Sequence, residues 1–182
     1  MDLLLEALEA LLALKPVLLA IDGPCGAGKS TLANRLADIF PDSAIYHMDD
    51  FFLPPALRSA ERLATPGGNV DYERFLQEVL LPLSEQKPFT YRRYECQRDT
   101  LTAVSAAPQP LAIIEGSYSL HPALRDFYDL KVFLDIDAES QAKRIVARSP
   151  ERLAERFFRE WIPMENLYFE ACGVRDASDI IL

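Results

Sequence analysis

The stretch that decides the fold is Gly23-Pro24-Cys25-Gly26-Ala27-Gly28-Lys29-Ser30, which matches the pattern G-x-x-x-x-G-K-[ST]. It follows an apolar run at residues 17–21 and opens a helical pattern at residues 29–39. Glycines let successive backbone N–H groups point inward around a phosphate, and the start of the helix adds its positive dipole end. A glycine-rich turn with a chance lysine is the alternative, but the flanking strand and helix favour a phosphate-binding P-loop.

Outward from the P-loop, short aliphatic runs alternate with helical patterns. The sequence predicts strands at residues 17–21, 44–46, 111–114, 130–134 and 179–182. It predicts helices at residues 3–14, 29–39, 72–80, 138–147 and 151–169. This βαβ alternation indicates an α/β protein with the P-loop NTPase fold, in which helices cover both faces of a parallel sheet.

Three further features of the pattern concern the connections. Pro163 should bend or split the last predicted helix, and Asp71 could cap the helix at 72–80. Residues 53–70 have little periodicity and indicate a long surface loop. Residues 89–109 alternate enough to suggest a small hairpin arm.

Bulk properties limit the classes of protein. A chain of 182 residues suits a single domain spanning 1–182. The formal charge of -9 opposes general attraction to nucleic acid. The leucine-rich start contains acidic residues and predicts neither a signal peptide nor a membrane-bound protein. Three cysteines without paired spacing suit a reducing cytoplasm and are expected only to fill space. The sequence is compatible with a homo-oligomer.

The P-loop supplies most of the candidate nucleotide ligands. They are Gly23, Gly26, Ala27, Gly28, Lys29, Ser30 and Thr31. Lys29 is expected to reach the β- and γ-phosphates, and the Ser30 hydroxyl is expected to hold Mg²⁺. A P-loop alone does not separate a kinase from a nucleotide-dependent switch, so other residues must decide.

Two acids follow predicted strands. Asp49 lies after the second strand, and Glu115 ends the strand at 111–114, so both should emerge beside the P-loop. Asp49 could accept the proton of an attacking hydroxyl, and Glu115 would suit a magnesium shell. Asp49 could instead cap a turn, and Glu115 could be a solvated loop residue.

Several motifs in order along the chain resemble the uridine kinase and phosphoribulokinase group of P-loop kinases, which includes nicotinamide riboside and bacterial pantothenate kinases. The matching pieces are Ile21-Asp22-Gly23 through Thr31, Asp49-Asp50-Phe51-Phe52, Asn69-Val70-Asp71, Tyr91-Arg92-Arg93-Tyr94, Ile114-Glu115-Gly116 and Leu134-Asp135-Ile136-Asp137. Together they span nearly the whole chain and are more specific than the P-loop.

The resemblance implies roles for individual residues. Asp49 corresponds to the general base for a ribose 5′-hydroxyl, Glu115 to the acid associated with Mg²⁺, and Asp71 to the aspartate that binds ribose hydroxyls. Tyr91 and Arg93 lie in the arm where relatives contact the base. The pair Arg92-Arg93 departs from the usual uridine kinase sequence at this arm.

A helical lid is expected at about residues 144–160. Arg144 and Arg148 lie four residues apart on one helical face, and members of the resembled group carry such arginines to neutralise charge on the transferred phosphoryl group. A solvated face paired with neighbouring glutamates is the alternative. The apolar stripe Leu153, Phe157 and Trp161 is expected to pack into the core. His47 and His121 have no ligand partners at metal spacing and are expected to be structural.

The sequence therefore predicts an ATP- and Mg²⁺-dependent kinase that phosphorylates the hydroxyl of a small molecule, most simply the ribose 5′-hydroxyl of a nucleoside. Other acceptors stay open, namely nicotinamide riboside, pantothenate or a sugar phosphate. A switch protein that keeps the P-loop without chemistry is the alternative outside the enzymes.

Overall fold

The computed structural model describes residues 1–182 and contains one large sheet and one hairpin. In chain order the strands are β1 (Val17–Asp22), β2 (Ser43–His47), β3 (Phe89–Glu95), β4 (Thr100–Ala106), β5 (Leu111–Glu115), β6 (Leu130–Phe133) and β7 (Ile180–Ile181). The large sheet is wholly parallel in the order β2-β5-β1-β6-β7, and β3 pairs with β4 in antiparallel fashion. The predicted α/β fold is confirmed, and the predicted arm is this β3-β4 hairpin.

Helices cover the sheet. They are α1 (Asp2–Leu12), α2 (Lys29–Ile39), α3 (Ala60–Ala64), α4 (Tyr72–Phe75), α5 (Leu81–Ser84), α6 (Ala138–Arg148), α7 (Glu151–Arg156) and α8 (Ile162–Ala171). A π-helical turn at Leu76–Leu80 joins α4 to α5, and another at Phe157–Trp161 joins α7 to α8. No helix is both long enough and apolar enough to cross a membrane.

The side chains of β1 alternate between two hydrophobic cores, one on each face of the sheet. Leu18 and Ala20 belong to the cluster that includes the α4-α5 side and the hairpin, whereas Leu19 and Ile21 belong to the cluster under α1 and α2. All six residues of β1 are buried. Such burial explains why the strand is a continuous apolar run instead of an alternating one.

The prediction that Pro163 bends or splits the last helix agrees with the structure, in which a π-helical turn at Phe157–Trp161 divides the predicted helix into α7 and α8. Pro163 lies in the first turn of α8, directly after the π-helical turn. A proline lacks an N–H and crowds the preceding turn, and a widened turn accommodates both defects. Pro82 has the same position after the other π-helical turn.

The region 53–70 is more ordered than predicted. It contains a 3₁₀ turn at Pro55–Leu57 and helix α3, whose first turn is capped by the Ser59 hydroxyl. The Arg62 guanidinium donates to the carbonyl oxygens of Gly68 and Val70 and ties the segment together. These elements are too short to produce a periodic pattern in sequence.

Strand register places the ends of three strands side by side. Glu115 of β5 pairs with Ile21 of β1 on one side and with His47 of β2 on the other. Because the strands are parallel, Asp22, His47 and Glu115 meet at the same carboxyl edge of the sheet, where ligands bind in open α/β folds.

Candidate active site

The P-loop lies between two cavities at the carboxyl edge of the sheet. One cavity, called the Asp49 cavity, has a volume of about 670 Å³ and is lined by Cys25, Lys29, Ser30, Asp49, Glu115 and Glu165, among others. The other, called the Arg144 cavity, is lined by Ala27, Arg35, Leu134 and Arg144, among others. Gly26, Gly28, Thr31 and Arg148 line both cavities. An elongated ligand could therefore run along the loop from one cavity to the other.

Two glycines let the P-loop adopt its shape. Gly28 has φ = 105° at the N-terminus of α2, a conformation that L side chains rarely adopt. Gly23 has φ = 142°, and a Cβ atom there would collide with the carbonyl oxygen of Leu134. Gly23 therefore acts through close packing against the end of β6, and it does not line either cavity.

The Lys29 ammonium lies at the centre of the loop. Its Nζ atom donates to the carbonyl oxygens of Gly23 (2.7 Å) and Pro24 (3.0 Å) and to the Ser117 hydroxyl (3.2 Å). Lys29 is buried but lines the Asp49 cavity. These bonds hold a positive charge where a phosphate in the loop would need it.

Glu115 is a buried carboxylate held by two neighbours. The Ser30 hydroxyl donates to both of its oxygens at 3.1 and 3.2 Å, and the His47 ring donates from Nδ1 to Oε1 at 2.5 Å. The hydrogen bond to Glu115 raises the pKa of His47 above its usual value. Through this hydrogen bond His47 orients Glu115.

The donor set at Ser30 and Glu115 fits Mg²⁺. Both side chains offer hard oxygen ligands beside the phosphate loop. The structure contains no group of three or more His, Cys, Asp or Glu side chains placed to hold a metal ion. Mg²⁺ commonly keeps several waters and takes ligands from substrate phosphates, so two protein oxygens are a suitable set.

Asp49 opens on the same cavity from the 3₁₀ turn that follows β2, at Met48–Phe51. Its side chain is accessible from the cavity, but the enclosing protein limits its hydration and raises its pKa above the usual value. The positive charge of Lys29 acts in the opposite direction. Asp49 is therefore placed to accept a hydrogen bond from a hydroxyl in the cavity.

Both predicted lid arginines lie on α6 and line the cavities beside the P-loop. Arg144 donates to the carbonyl oxygens of Gly26 (3.0 Å) and Ala27 (3.3 Å). Arg148 lines both cavities, and its guanidinium lies 5.4 Å from the centre of the Phe157 ring. Their side chains are exposed, so they are free to contact anionic groups in the cavities.

The prediction that Leu153, Phe157 and Trp161 pack into the core is wrong for Leu153, whereas Phe157 is half-buried against the small cluster of Cys25, Ile145 and Ala154. All three line the Asp49 cavity, and 37% of Leu153 is exposed. The apolar stripe of the helical run therefore contributes to the wall of the cavity. An amphipathic pattern indicates that one face is covered but does not say by what.

Three of the predicted acceptor residues, Asp71, Tyr91 and Arg93, lie outside the lining of the Asp49 cavity. Asp71 caps α4 by accepting from the Arg74 backbone N–H, and its carboxylate pairs with the Arg74 side chain at 3.0 Å. Tyr91 is buried against the Phe51 ring, with ring centres 5.9 Å apart, and Arg93 is exposed.

The arm reaches the Asp49 cavity through its turn, where Cys96 and Gln97 lie. Cys96 is exposed, so the prediction that it only fills space is wrong for this cysteine. Cys25 is buried as expected, and its burial raises the pKa of the thiol to about 12.

Sequence reasoning missed four residues around the P-loop. Glu165 and Tyr168 lie on one face of α8, and they contact Ser117 and Asp22, respectively. All four side chains are buried. The spacing of Glu165 and Tyr168 is compatible with one helical face, but nothing in the sequence indicates that a glutamate so far along the chain meets the P-loop.

Asp22 is fully buried and accepts four hydrogen bonds. The backbone N–H groups of Gly23, Tyr118 and Leu120 donate at 2.7, 3.2 and 2.8 Å, and the Tyr168 hydroxyl donates at 2.8 Å. Burial still raises the pKa of Asp22 to about 6 from an ordinary value of 3.8. The carboxylate joins the P-loop, the turn after β5 and helix α8.

Tyr168→Phe is expected to lower the free energy of unfolding by about 2 kcal/mol at pH 8, because a buried charged acceptor loses a donor. At pH 8 Asp22 is ionised, whereas below pH 6 the folded protein takes up a proton and the charge disappears. The loss should therefore be smaller at pH 5. Urea unfolding at both pH values measures it.

Tyr128→Phe is the matched control, since the Tyr128 hydroxyl is buried without a protein hydrogen-bond partner. Its removal should change stability little at either pH. An equal loss for Tyr168→Phe at pH 5 and pH 8 would show that the Asp22 charge is not what the tyrosine stabilises.

Comparison with known proteins places this geometry in a family. No protein-family model matches the chain. The uridine kinase of Alkaliphilus metalliredigens is 31% identical over 148 residues, which cover 75% of this chain and 70% of that protein. The uridine kinase of Streptococcus agalactiae is 28% identical over 186 residues, which cover 92% of this chain and 87% of that protein.

A solved structure described as a possible uridine kinase from Bacillus stearothermophilus superposes with a TM-score of 0.72, at 21% identity and over 100% of both chains. Its likeness supports the fold, while the relative at 31% identity supports the family. The parallel sheet, the P-loop and the sequence likeness agree, and the chain belongs to the uridine kinase family of P-loop kinases.

Proposed function

We propose that the protein transfers the γ-phosphate of ATP to the 5′-hydroxyl of a nucleoside, with Asp49 as the general base. The observation that carries the proposal is the position of Asp49, which shares one cavity with Lys29 and Ser30 of the P-loop. A carboxylate beside the terminal phosphate is what a kinase needs and a nucleotide switch does not.

In this proposal the P-loop holds the triphosphate. The backbone N–H groups from Gly26 to Thr31 surround the phosphates, and the Lys29 ammonium neutralises the β- and γ-phosphates. Ser30 and Glu115 would hold Mg²⁺, which would supply positive charge beside the phosphates. Positioning and neutralisation supply most of the rate.

Arg144 and Arg148 belong to a lid at about residues 144–160 that closes on the triphosphate. The Arg144 cavity would receive the nucleotide base and the α-phosphate, beside the Arg144 guanidinium. Arg148 spans both cavities and would follow the phosphate that moves. The whole chain acts as one kinase domain of the cytoplasm.

The acceptor would occupy the Asp49 cavity. Its volume of about 670 Å³ is within the range of small-molecule sites. Phe52, Tyr118, Phe157 and Trp161 are among its lining residues and would supply aromatic surface for a base. Asp71 would bind ribose hydroxyls after its pair with Arg74 opens, and Tyr91 and Arg93 would act from the arm.

One observation favours a second class of acceptor. Tyr91, which the resemblance places in the arm that contacts the base, is packed in the core and is absent from the cavity lining. An acceptor without an aromatic base, such as pantothenate or a sugar phosphate, makes no use of such a contact.

The proposal is tested by ADP release from Mg²⁺-ATP against a panel of nucleosides, nicotinamide riboside, pantothenate and sugar phosphates. A nucleoside should stimulate release strongly over the rate without acceptor. Stimulation by a non-nucleoside alone would move the acceptor to the second class. Nucleotide binding without any acceptor dependence would favour a switch protein.

A further inference from the structure

Glu165 is a buried acid on helix α8 that contacts the P-loop directly. Only 5% of the residue is exposed. Its Oε2 atom accepts a hydrogen bond from the Cys25 backbone N–H at 2.9 Å, and its Oε1 atom accepts from the Ser117 hydroxyl at 2.8 Å. A carboxylate thus accepts a hydrogen bond from a backbone N–H of the P-loop, a group that could otherwise donate to a phosphate.

The Cys25 N–H lies at the acceptor end of the loop. Cys25 lines the Asp49 cavity and not the Arg144 cavity, whereas Ala27 lines the Arg144 cavity and not the Asp49 cavity. Phosphates that enter past Arg144 and end beside Asp49 would reach the Cys25 N–H last. The terminal phosphate and the Glu165 carboxylate therefore compete for one donor.

Charge makes the competition selective. A γ-phosphate brought against an ionised carboxylate in a partly enclosed cavity experiences strong repulsion, so the carboxylate must leave its bond with Cys25. A diphosphate ends before this donor and leaves Glu165 in place.

The contact also connects the P-loop with the helical run that continues from the proposed lid. Glu165 and Tyr168 lie about one helical turn apart on α8. Glu165 bonds to Cys25 and Tyr168 bonds to Asp22, so both attach α8 to the P-loop side of the sheet. Trp161, which lines the same cavity, precedes Glu165 by one turn in the continuous helical run. Displacement of Glu165 would therefore alter the surroundings of Trp161.

We propose that Glu165 is the residue by which this protein distinguishes triphosphate from diphosphate nucleotides. Its carboxylate accepts from the Cys25 N–H until the terminal phosphate of a triphosphate displaces it, and a diphosphate does not displace it. The proposal rests on the proposed function only in that the P-loop binds a nucleotide. It is independent of the acceptor.

The test is the binding of Mg²⁺-ADP and of a non-hydrolysable Mg²⁺-ATP analogue to wild type and Glu165→Gln, by calorimetry without acceptor. The amide keeps an oxygen that accepts from Cys25 and removes the charge. The analogue is expected to bind about tenfold tighter to the variant, while ADP binding changes less than about twofold. Equal changes for both nucleotides, or weaker binding of the analogue, would overturn the proposal.

Glu170→Gln is the matched control, because Glu170 is an exposed glutamate on the same helix. It should leave both affinities unchanged. A gain in analogue binding as large as that of Glu165→Gln would assign the effect to net charge and would overturn the proposal.

A second measurement uses only the wild-type protein, so its result does not depend on whether Glu165→Gln folds. Trp161 is the only tryptophan of the chain, so its fluorescence reports on one site. The ATP analogue should change its emission much more than ADP does. Equal responses to the two bound nucleotides would overturn the role of Glu165 and leave the proposed function intact. A wild type that binds no nucleotide would overturn both.

Discussion

Asp49→Asn is expected to lower kcat by about 10² to 10⁴-fold, the range that general bases contribute, with little change in the affinity for ATP. The asparagine keeps the shape of the side chain but cannot take the proton of the acceptor hydroxyl. Steady-state ADP release and calorimetric nucleotide binding measure the two effects separately. A large loss of kcat with an unchanged affinity for ATP identifies a residue that acts on the acceptor and not on the donor.

Asp50→Asn is the matched control for this substitution. Asp50 neighbours Asp49 in sequence but does not line the Asp49 cavity. It should keep a rate within a fewfold of wild type. Near wild-type turnover by Asp49→Asn, or an equal loss in both variants, would remove Asp49 from its role as base.

Lys29→Ala is expected to weaken both nucleotide binding and turnover. Loss of a charge-assisted contact to the phosphates should weaken binding by about tenfold or more, and loss of charge neutralisation should lower kcat by about 10² to 10³-fold. The same measurements of binding and ADP release apply, and thermal unfolding shows whether the loop carbonyls that lose their donor destabilise the fold.

Lys143→Ala provides the comparison for Lys29→Ala. Lys143 is exposed on α6 and pairs with Glu139 at 2.5 Å, away from both cavities. Its replacement should leave binding and turnover close to wild type. If Lys29→Ala bound nucleotide as tightly as this control, the P-loop would not hold phosphates in the proposed way.

Local sequence signals predicted much of the fold. The helix at 29–39 has the predicted ends, and the strands of the parallel sheet lie where continuous apolar runs indicated them. These elements depend on periodicity and burial, which neighbouring residues encode. The helices in 53–70 are too short for such a signal, and the path past Pro163 depends on a widened turn that single residues do not specify.

The candidate site divides in the same way. The sequence indicated Lys29, Ser30, Asp49 and Glu115 because each follows a strand or lies in a motif, and parallel strands end at one edge. It did not predict that the stripe of Leu153, Phe157 and Trp161 lines the Asp49 cavity, because amphipathicity does not identify the surface that a helix covers.

The sequence by itself determined the phosphate loop, the parallel sheet and the acids at its carboxyl edge, since each of these follows from residues close together in the chain. Only the tertiary structure decided that Glu165 and Tyr168 reach Cys25 and Asp22, contacts that span more than a hundred residues. Such pairings depend on how the helical run packs across the sheet edge. Packing of distant segments is a property of the whole fold, and no local pattern records it.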